Sequence, residues 1–127
     1  MRAYMNRWFA KFAAREKMSA ASLIEAVVRA EAGLIDVDLG GGLIKQRIAR
    51  AGGGRSSGYR SLIIFRSEDR AVFVFGFAKN LKGNLDAAEL KAFRAAAKIV
   101  LGLTQEQIDD ELRHERLIKV KADDQDL

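Results

Sequence analysis

One strand-forming run is apolar at every position, and it constrains the fold more than any other segment. Leu62, Ile63, Ile64 and Phe65 follow one another within the β-prone stretch 59–66. Because successive side chains of a strand point to opposite faces of its sheet, this run must be covered on both faces. The sequence therefore predicts a central strand with packed elements on each side of the sheet.

The segments around this run supply its neighbouring strands. Residues 43–50 and 71–79 are β-prone, and the second segment follows the central run after the four-residue turn 67–70. We expect these three strands to form an antiparallel meander. Further short strands are predicted at 1–5, 34–40 and 117–120. Three aromatic residues of the last meander strand are predicted to share one core-facing side, namely Phe73, Phe75 and Phe77.

Four helices are predicted, each beginning after a side chain that can accept a backbone hydrogen bond. These capping residues are Asn6, Ser19, Asp86 and Thr104, and Glu89 and Gln107 complete capping boxes for the last two. Gly33 is expected to end the second helix, whose predicted buried stripe is Leu23, Ile24, Val27 and Val28. The first two helices can cover one sheet face and the third helix part of the other, which leaves an open groove.

The predicted fold class is α+β, with two N-terminal helices packed on a small antiparallel β-sheet and helices again at the C-terminal end. The 127 residues fit one domain, and we expect a single domain over 1–127 with a mobile tail from about 121. The chain lacks cysteine and has one histidine, His114, to which we assign no role. No segment reads as a signal peptide or membrane span, so we expect a cytoplasmic protein without a membrane partner.

Positive charge is concentrated in the middle of the chain. Residues 43–82 carry nine basic and two acidic side chains, whereas residues 83–127 carry seven basic and ten acidic ones. A segregated field of this kind attracts polyanions more strongly than scattered charge does. The alternative is a solvated basic surface that only aids solubility.

Two basic residues of the first meander strand are candidates for an anion site. Lys45 and Arg47 are two positions apart and so project from one face, and the hairpin returns Arg55, Tyr59 and Arg60 beside them. Crowded cations repel one another unless an anion lies among them, so we interpret the cluster as a site for a phosphate backbone. A basic strand edge that discourages aggregation is the rival interpretation.

A glycine-rich loop, residues 52–58, joins these two strands. Its glycines allow a phosphate to approach the main chain, but it leads from strand to strand and lacks the Gly-Lys-Ser/Thr ending of a nucleotide-binding loop. A plain hairpin loop is an equally good interpretation.

Three segments of the chain carry a family resemblance. KQRIAR, GGGRSSGYRSLIIF and VFVFGFAKN, in this order and spacing, closely resemble the strand and loop signatures of RelE/HigB toxins, in particular the HigB-like branch with its longer C-terminal end. The resemblance implies a RelE-like fold and an endoribonuclease that uses neither a metal nor another cofactor. In this reaction the 2′-hydroxyl of the RNA attacks the adjacent phosphate and leaves a cyclic phosphate.

The resemblance also implies roles for individual residues. Lys45, Arg47 and Arg60 are the predicted catalytic residues, with Arg60 on the scissile phosphate and Lys45 as general base, a role that neighbouring positive charge favours because the base must be neutral. The predicted RNA contacts are Arg50, Arg55, Ser56, Tyr59, Lys79 and Asn80. A base could stack on Tyr59, although an ordinary hairpin tyrosine fits as well.

Family membership further implies partners. These are a cognate antitoxin, in HigB-like systems usually a helix-turn-helix protein, the ribosome with its messenger RNA, and operator DNA reached only through the antitoxin. The chain departs from the family pattern at Asn80, where many members have arginine, and near Leu85, where a tyrosine is expected. Two alternatives therefore stay open: a non-catalytic RNA- or antitoxin-binding module of the same fold, and a gyrase inhibitor like the related ParE toxins.

Overall fold

The fold was analysed in a computed structural model, which describes residues 1–49, 58–78 and 85–121. It confirms the α+β class. The strands are β1 Arg2–Asn6, β2 Val37–Gly40, β3 Leu43–Ile48, β4 Tyr59–Arg66, β5 Arg70–Ala78 and β6 Leu117–Lys119. The helices are α1 Arg7–Arg15, α2 Ala20–Glu31, α3 Ala87–Leu101 and α4 Gln105–Arg113.

The described strands form one six-stranded sheet in the order β2-β3-β4-β5-β1-β6. The predicted antiparallel meander β3-β4-β5 is confirmed, and β2 pairs antiparallel with β3 at one edge. The first strand lies between β5 and β6 and runs parallel to β5, which pattern reading alone did not indicate. A parallel pair requires a long connection, and the helices and strands between β1 and β5 in the chain supply it.

Two apolar cores cover the two faces of the sheet, as the central run predicted. Leu62, Ile63 and Ile64 are fully buried. The first core, under α1 and α2, includes Phe9, Leu23, Ala26, Ile48, Ile63 and Phe73. The second core, under α3 and α4, includes Leu43, Leu62, Ile64, Val72, Ala97 and Ile108.

A β-bulge in β5 overturns the prediction that Phe73, Phe75 and Phe77 share one face. The register with β4 slips between Leu62 and Ile63, so that Phe73 pairs with Ile63 and Phe75 with Leu62. Val74 is therefore the extra residue. Phe73 lies in the first core, whereas Phe75 and Phe77 lie on the second face, opposite Leu62 and Arg60.

The four predicted helix caps are all confirmed. The Asn6 side chain accepts a hydrogen bond from the Phe9 amide, and the capping boxes of α3 and α4 both form. Gly33 adopts a left-handed φ of 86° just after α2. The predicted buried stripe of α2 was wrong in one position, because Val28 is 59% exposed and the alanines Ala26 and Ala30 are buried instead.

Candidate functional site

The strand register brings three predicted site residues onto one face of the sheet. Arg47 of β3 lies directly opposite Arg60 of β4, and Lys45 lies opposite Leu62, one diagonal step from Arg60. All three cations are partly buried. They share the face of Leu62, which belongs to the second core. We call Lys45, Arg47 and Arg60 the cation triad.

Two members of the triad keep a buried nitrogen that has no hydrogen-bond partner among the residues that the structure describes. These nitrogens are Nη1 of Arg60 and Nε of Arg47. A buried nitrogen of a charged group without a partner is unfavourable by roughly 1–3 kcal/mol or more. The site can regain this energy when an anionic oxygen reaches the guanidinium.

Arg47 is held by a carboxylate that our sequence reading had not assigned to the site. Asp36 accepts a hydrogen bond from the Arg47 amide at 2.8 Å and another from its guanidinium at 3.1 Å. Arg29 of α2 donates to the same carboxylate at 3.3 Å and also to the Arg47 carbonyl. Arg47 therefore has an internal counterion, and crowding of the triad alone does not demand an external anion.

The same contacts set the ionisation of Asp36. Partial burial opposes ionisation of this carboxyl, but hydrogen bonds from the Arg47 amide, the Arg47 guanidinium and Arg29 outweigh burial and hold its pKa below the ordinary value. A sequence signal for this residue did exist. Asp36 and Asp38 alternate just before the basic strand, and opposite charges on neighbouring strands attract.

Tyr59 does not lie beside the triad, which corrects our prediction for this residue. Adjacent strand positions face opposite sides of a sheet, so Tyr59 and Arg60 point apart. The Tyr59 ring is buried in the first core, makes an edge contact with Phe12 at 5.8 Å and donates its hydroxyl to Glu16 at 2.8 Å. Its position therefore suits core packing and leaves no face for stacking beside the triad.

An aromatic wall borders the triad on the side of β5. Phe77 lies opposite Arg60, Phe75 packs against Phe93 of α3, and Trp8 stacks on Phe75 with ring centroids 4.6 Å apart. Leu85 packs against the second core. The triad thus lies between this wall and the edge formed by β2 and Asp36.

Five predicted RNA contacts fall outside the described residues: Arg50, Arg55, Ser56, Lys79 and Asn80. Within the described ranges, no three acidic, histidine or cysteine side chains are grouped so that they could hold a metal ion. No helix of the described part is long and apolar enough to span a membrane.

Chemically, the triad presents positive charge from two rigid, hydrogen-bonded strands. Preorganised cations of this kind stabilise negative charge that develops on a reacting phosphate, because they need not reorganise during the reaction.

The chain was also compared with known proteins. A search of curated proteins gave no match. The family model described as "RelE toxin of RelE / RelB toxin-antitoxin system" matches residues 1–120, which is nearly the whole chain. The chain therefore belongs to the RelE toxin family.

Proposed function

We propose that this toxin is a ribosome-dependent, metal-independent endoribonuclease that cuts messenger RNA in the cytoplasm and so inhibits translation. Within the family we place it in the HigB-like branch, on the segments KQRIAR, GGGRSSGYRSLIIF and VFVFGFAKN. Membership in the RelE family implies an antitoxin partner. The proposal also includes further partners: the ribosome with its messenger RNA, an antitoxin of the helix-turn-helix type, and operator DNA that the toxin reaches only through this antitoxin.

One observation carries the proposal. Arg60 has a buried guanidinium nitrogen without a partner in the described structure, on the same sheet face as Lys45 and Arg47. A phosphate oxygen would supply the missing acceptor. Arg47, on the same face, likewise keeps a buried Nε without a partner among the described residues.

The proposed reaction assigns one task to each member of the triad. The 2′-oxygen of the RNA forms a bond to the neighbouring phosphorus while the bond from phosphorus to the 5′-oxygen breaks. Lys45 acts as the general base and takes the proton of the 2′-hydroxyl, and the departing 5′-oxygen takes a proton from water. Arg60 stabilises the charge on the phosphate oxygens, and Arg47 adds positive charge in an orientation that Asp36 fixes.

The test is expression of the parent and of Lys45→Ala and Arg60→Ala in growing cells, with messenger RNA ends mapped. Removing one preorganised donor commonly lowers the rate by roughly 10²–10³-fold, so we expect both variants to lose most cleavage and toxicity. The matched controls are Lys98→Ala on the exposed side of α3 and Arg66→Ala at the far end of β4, and both should cut like the parent.

Other outcomes would contradict the proposal. If both triad variants stay as active as the parent, the assignment of the site is wrong. Growth arrest with damaged DNA and intact messenger RNA would favour a gyrase inhibitor. RNA affinity without toxicity or cleavage would favour a non-catalytic binding module, the reading that Asn80 and Leu85 motivate.

A further inference from the structure

A second surface lies far from the triad, where α2 passes the end of β6. A groove of about 280 Å³ opens there, and we call it the α2–β6 groove. Ile24, Val27 and Val28 of α2 form its apolar side, and Arg2, Lys119 and Lys121 form its polar rim. This volume is smaller than most small-molecule sites and suits one or two apolar side chains of a partner.

Two of the apolar residues that line the groove are exposed. Val28 is 59% exposed and Met1 is 49% exposed, whereas Val27 and Val120 are buried. A partner that covers Val28 and Met1 removes their apolar surface from water and so gains free energy. An exposed apolar side chain beside a polar rim suits contact with a partner.

The charge of the groove selects the chemistry of that partner. Arg2, Lys119 and Lys121 are basic, and no carboxylate side chain among the described residues lines the groove. An acidic partner segment is therefore complementary to it, whereas a basic one is repelled.

Two other occupants fit less well. Single-stranded nucleic acid is usually held by aromatic side chains on which bases stack, and none of the described residues that line this groove is aromatic. A second copy of the chain related by a two-fold axis would set Arg2, Lys119 and Lys121 against their own counterparts, which like-charge repulsion opposes.

We propose that the α2–β6 groove binds an acidic, amphipathic segment of the antitoxin, with an apolar side chain against Val27 and Val28 and carboxylates beside Lys119 and Lys121. The proposal rests on family membership, which implies the antitoxin, and not on RNA cleavage.

The position of the groove makes the two activities separable. Ile24 and Val27 belong to the face of the first core, whereas the triad lies on the face of the second. In the sheet, β5 and β1 separate β6 from β4, which corresponds to about 14 Å at the usual strand spacing. A variant in the groove can therefore change antitoxin binding and leave the triad as it is.

The experiment measures the affinity of the purified full-length chain for the antitoxin of its own operon by calorimetric titration. Val28→Glu and Lys119→Glu each place a negative charge in the groove, and we expect each to weaken binding at least about tenfold, as the loss of a central interface contact does. The matched controls are Ile99→Glu and Lys98→Glu on α3, where Ile99 is 67% exposed, and both should bind within about twofold of the parent.

The affinities of these variants, together with their RNA cleavage, decide whether the groove binds the antitoxin. The proposal is wrong if Val28→Glu binds the antitoxin as tightly as the parent does. It is also wrong if only Lys45→Ala and Arg60→Ala lose affinity for the antitoxin. A third contrary result is that the parent forms a dimer without antitoxin and that Val28→Glu dissociates this dimer. Messenger RNA cleavage by Val28→Glu should equal that of the parent. If the parent does not cut RNA while the groove variants still lose the antitoxin, the proposed function fails and the groove assignment stands. A melting curve like the parent's confirms that each variant is folded.

Discussion

At the scale of single residues, Asp36 is the side chain on which the geometry of the triad depends. It joins Arg47 of β3 to Arg29 of α2 through one carboxylate, which is only 18% exposed. Asp36→Asn keeps the shape but removes the charge, so it should lower the free energy of unfolding by about 1–3 kcal/mol. Urea denaturation measures this. Asp38→Asn is the control, since Asp38 is exposed and its carboxylate accepts a hydrogen bond from the nearby Gly40 amide, and it should change stability by less than about 0.5 kcal/mol.

Asp36 also predicts how stability depends on pH. Its pKa is lower in the folded protein than its ordinary value of 3.8, so its contribution is fully present above the unfolded pKa and is lost as the pH falls through the folded one. The parent should therefore lose more stability than Asp36→Asn between pH 5 and about pH 3. Urea midpoints at several pH values test this, and equal losses in the two proteins would contradict it.

The same residue illustrates what the sequence could reveal of the site. Alternation within β3 and the hairpin to β4 were enough to predict that Lys45, Arg47 and Arg60 share a neighbourhood. The partner of Arg47 could not be predicted with the same ease, because Asp36 precedes β2 and reaches Arg47 only through the pairing of β2 with β3. The prediction for Tyr59 was wrong because it placed all residues of the β3–β4 hairpin near one another. Tyr59 and Arg60 are adjacent in β4 and therefore lie on opposite faces of the sheet.

At the scale of elements, the bulge in β5 is the feature that pattern reading missed. The sequence alternates aromatic residues through Phe73, Phe75 and Phe77 without interruption, so nothing local marks Val74 as the extra residue. The structure supplies a tertiary reason. The Asn6 side chain donates to the Val74 carbonyl at 3.1 Å at the place where β1 ends beside β5, while its oxygen caps α1. The helix caps could be predicted from local sequence. The contact between Asn6 and Val74 joins residues far apart in the chain, so local patterns could not predict it.

Gly76, next to the bulge, allows α1 to pack closely on β5. A Cβ added there would lie 2.5 Å from a ring carbon of Phe12 and 3.0 Å from one of Phe9, both buried. Gly76→Ala should therefore lower the free energy of unfolding by about 1–3 kcal/mol through overpacking, measured by chemical denaturation. Gly102→Ala is the control, because the nearest contacts of an added Cβ are ordinary ones at 3.4 and 3.5 Å and φ is negative. Equal effects of the two substitutions would contradict this account.

At the scale of the whole molecule, the described cations of the basic middle of the sequence divide into two groups in space. Arg66 and Arg70 belong to it by sequence, yet both pair with Asp69 at the far end of the β4–β5 hairpin. The cation triad lies toward the other end of β4, where Arg60 stands opposite Arg47 in the strand register. Counting charges along the chain predicted the attraction for polyanions, but only the strand register reveals which cations can act on one ligand.

This division makes a quantitative prediction for RNA binding. Each cation that neutralises a phosphate of single-stranded RNA contributes about 0.7 to the slope of log affinity against log salt concentration, because a counterion is released. Arg60→Ala should reduce the slope by about that amount. Arg66→Ala should leave the slope unchanged, since its charge is already paired with Asp69. Fluorescence titrations of a short labelled RNA at several salt concentrations measure the slopes of the parent and of both variants, and an equal reduction in Arg66→Ala would mean that total charge, not the triad, determines RNA affinity.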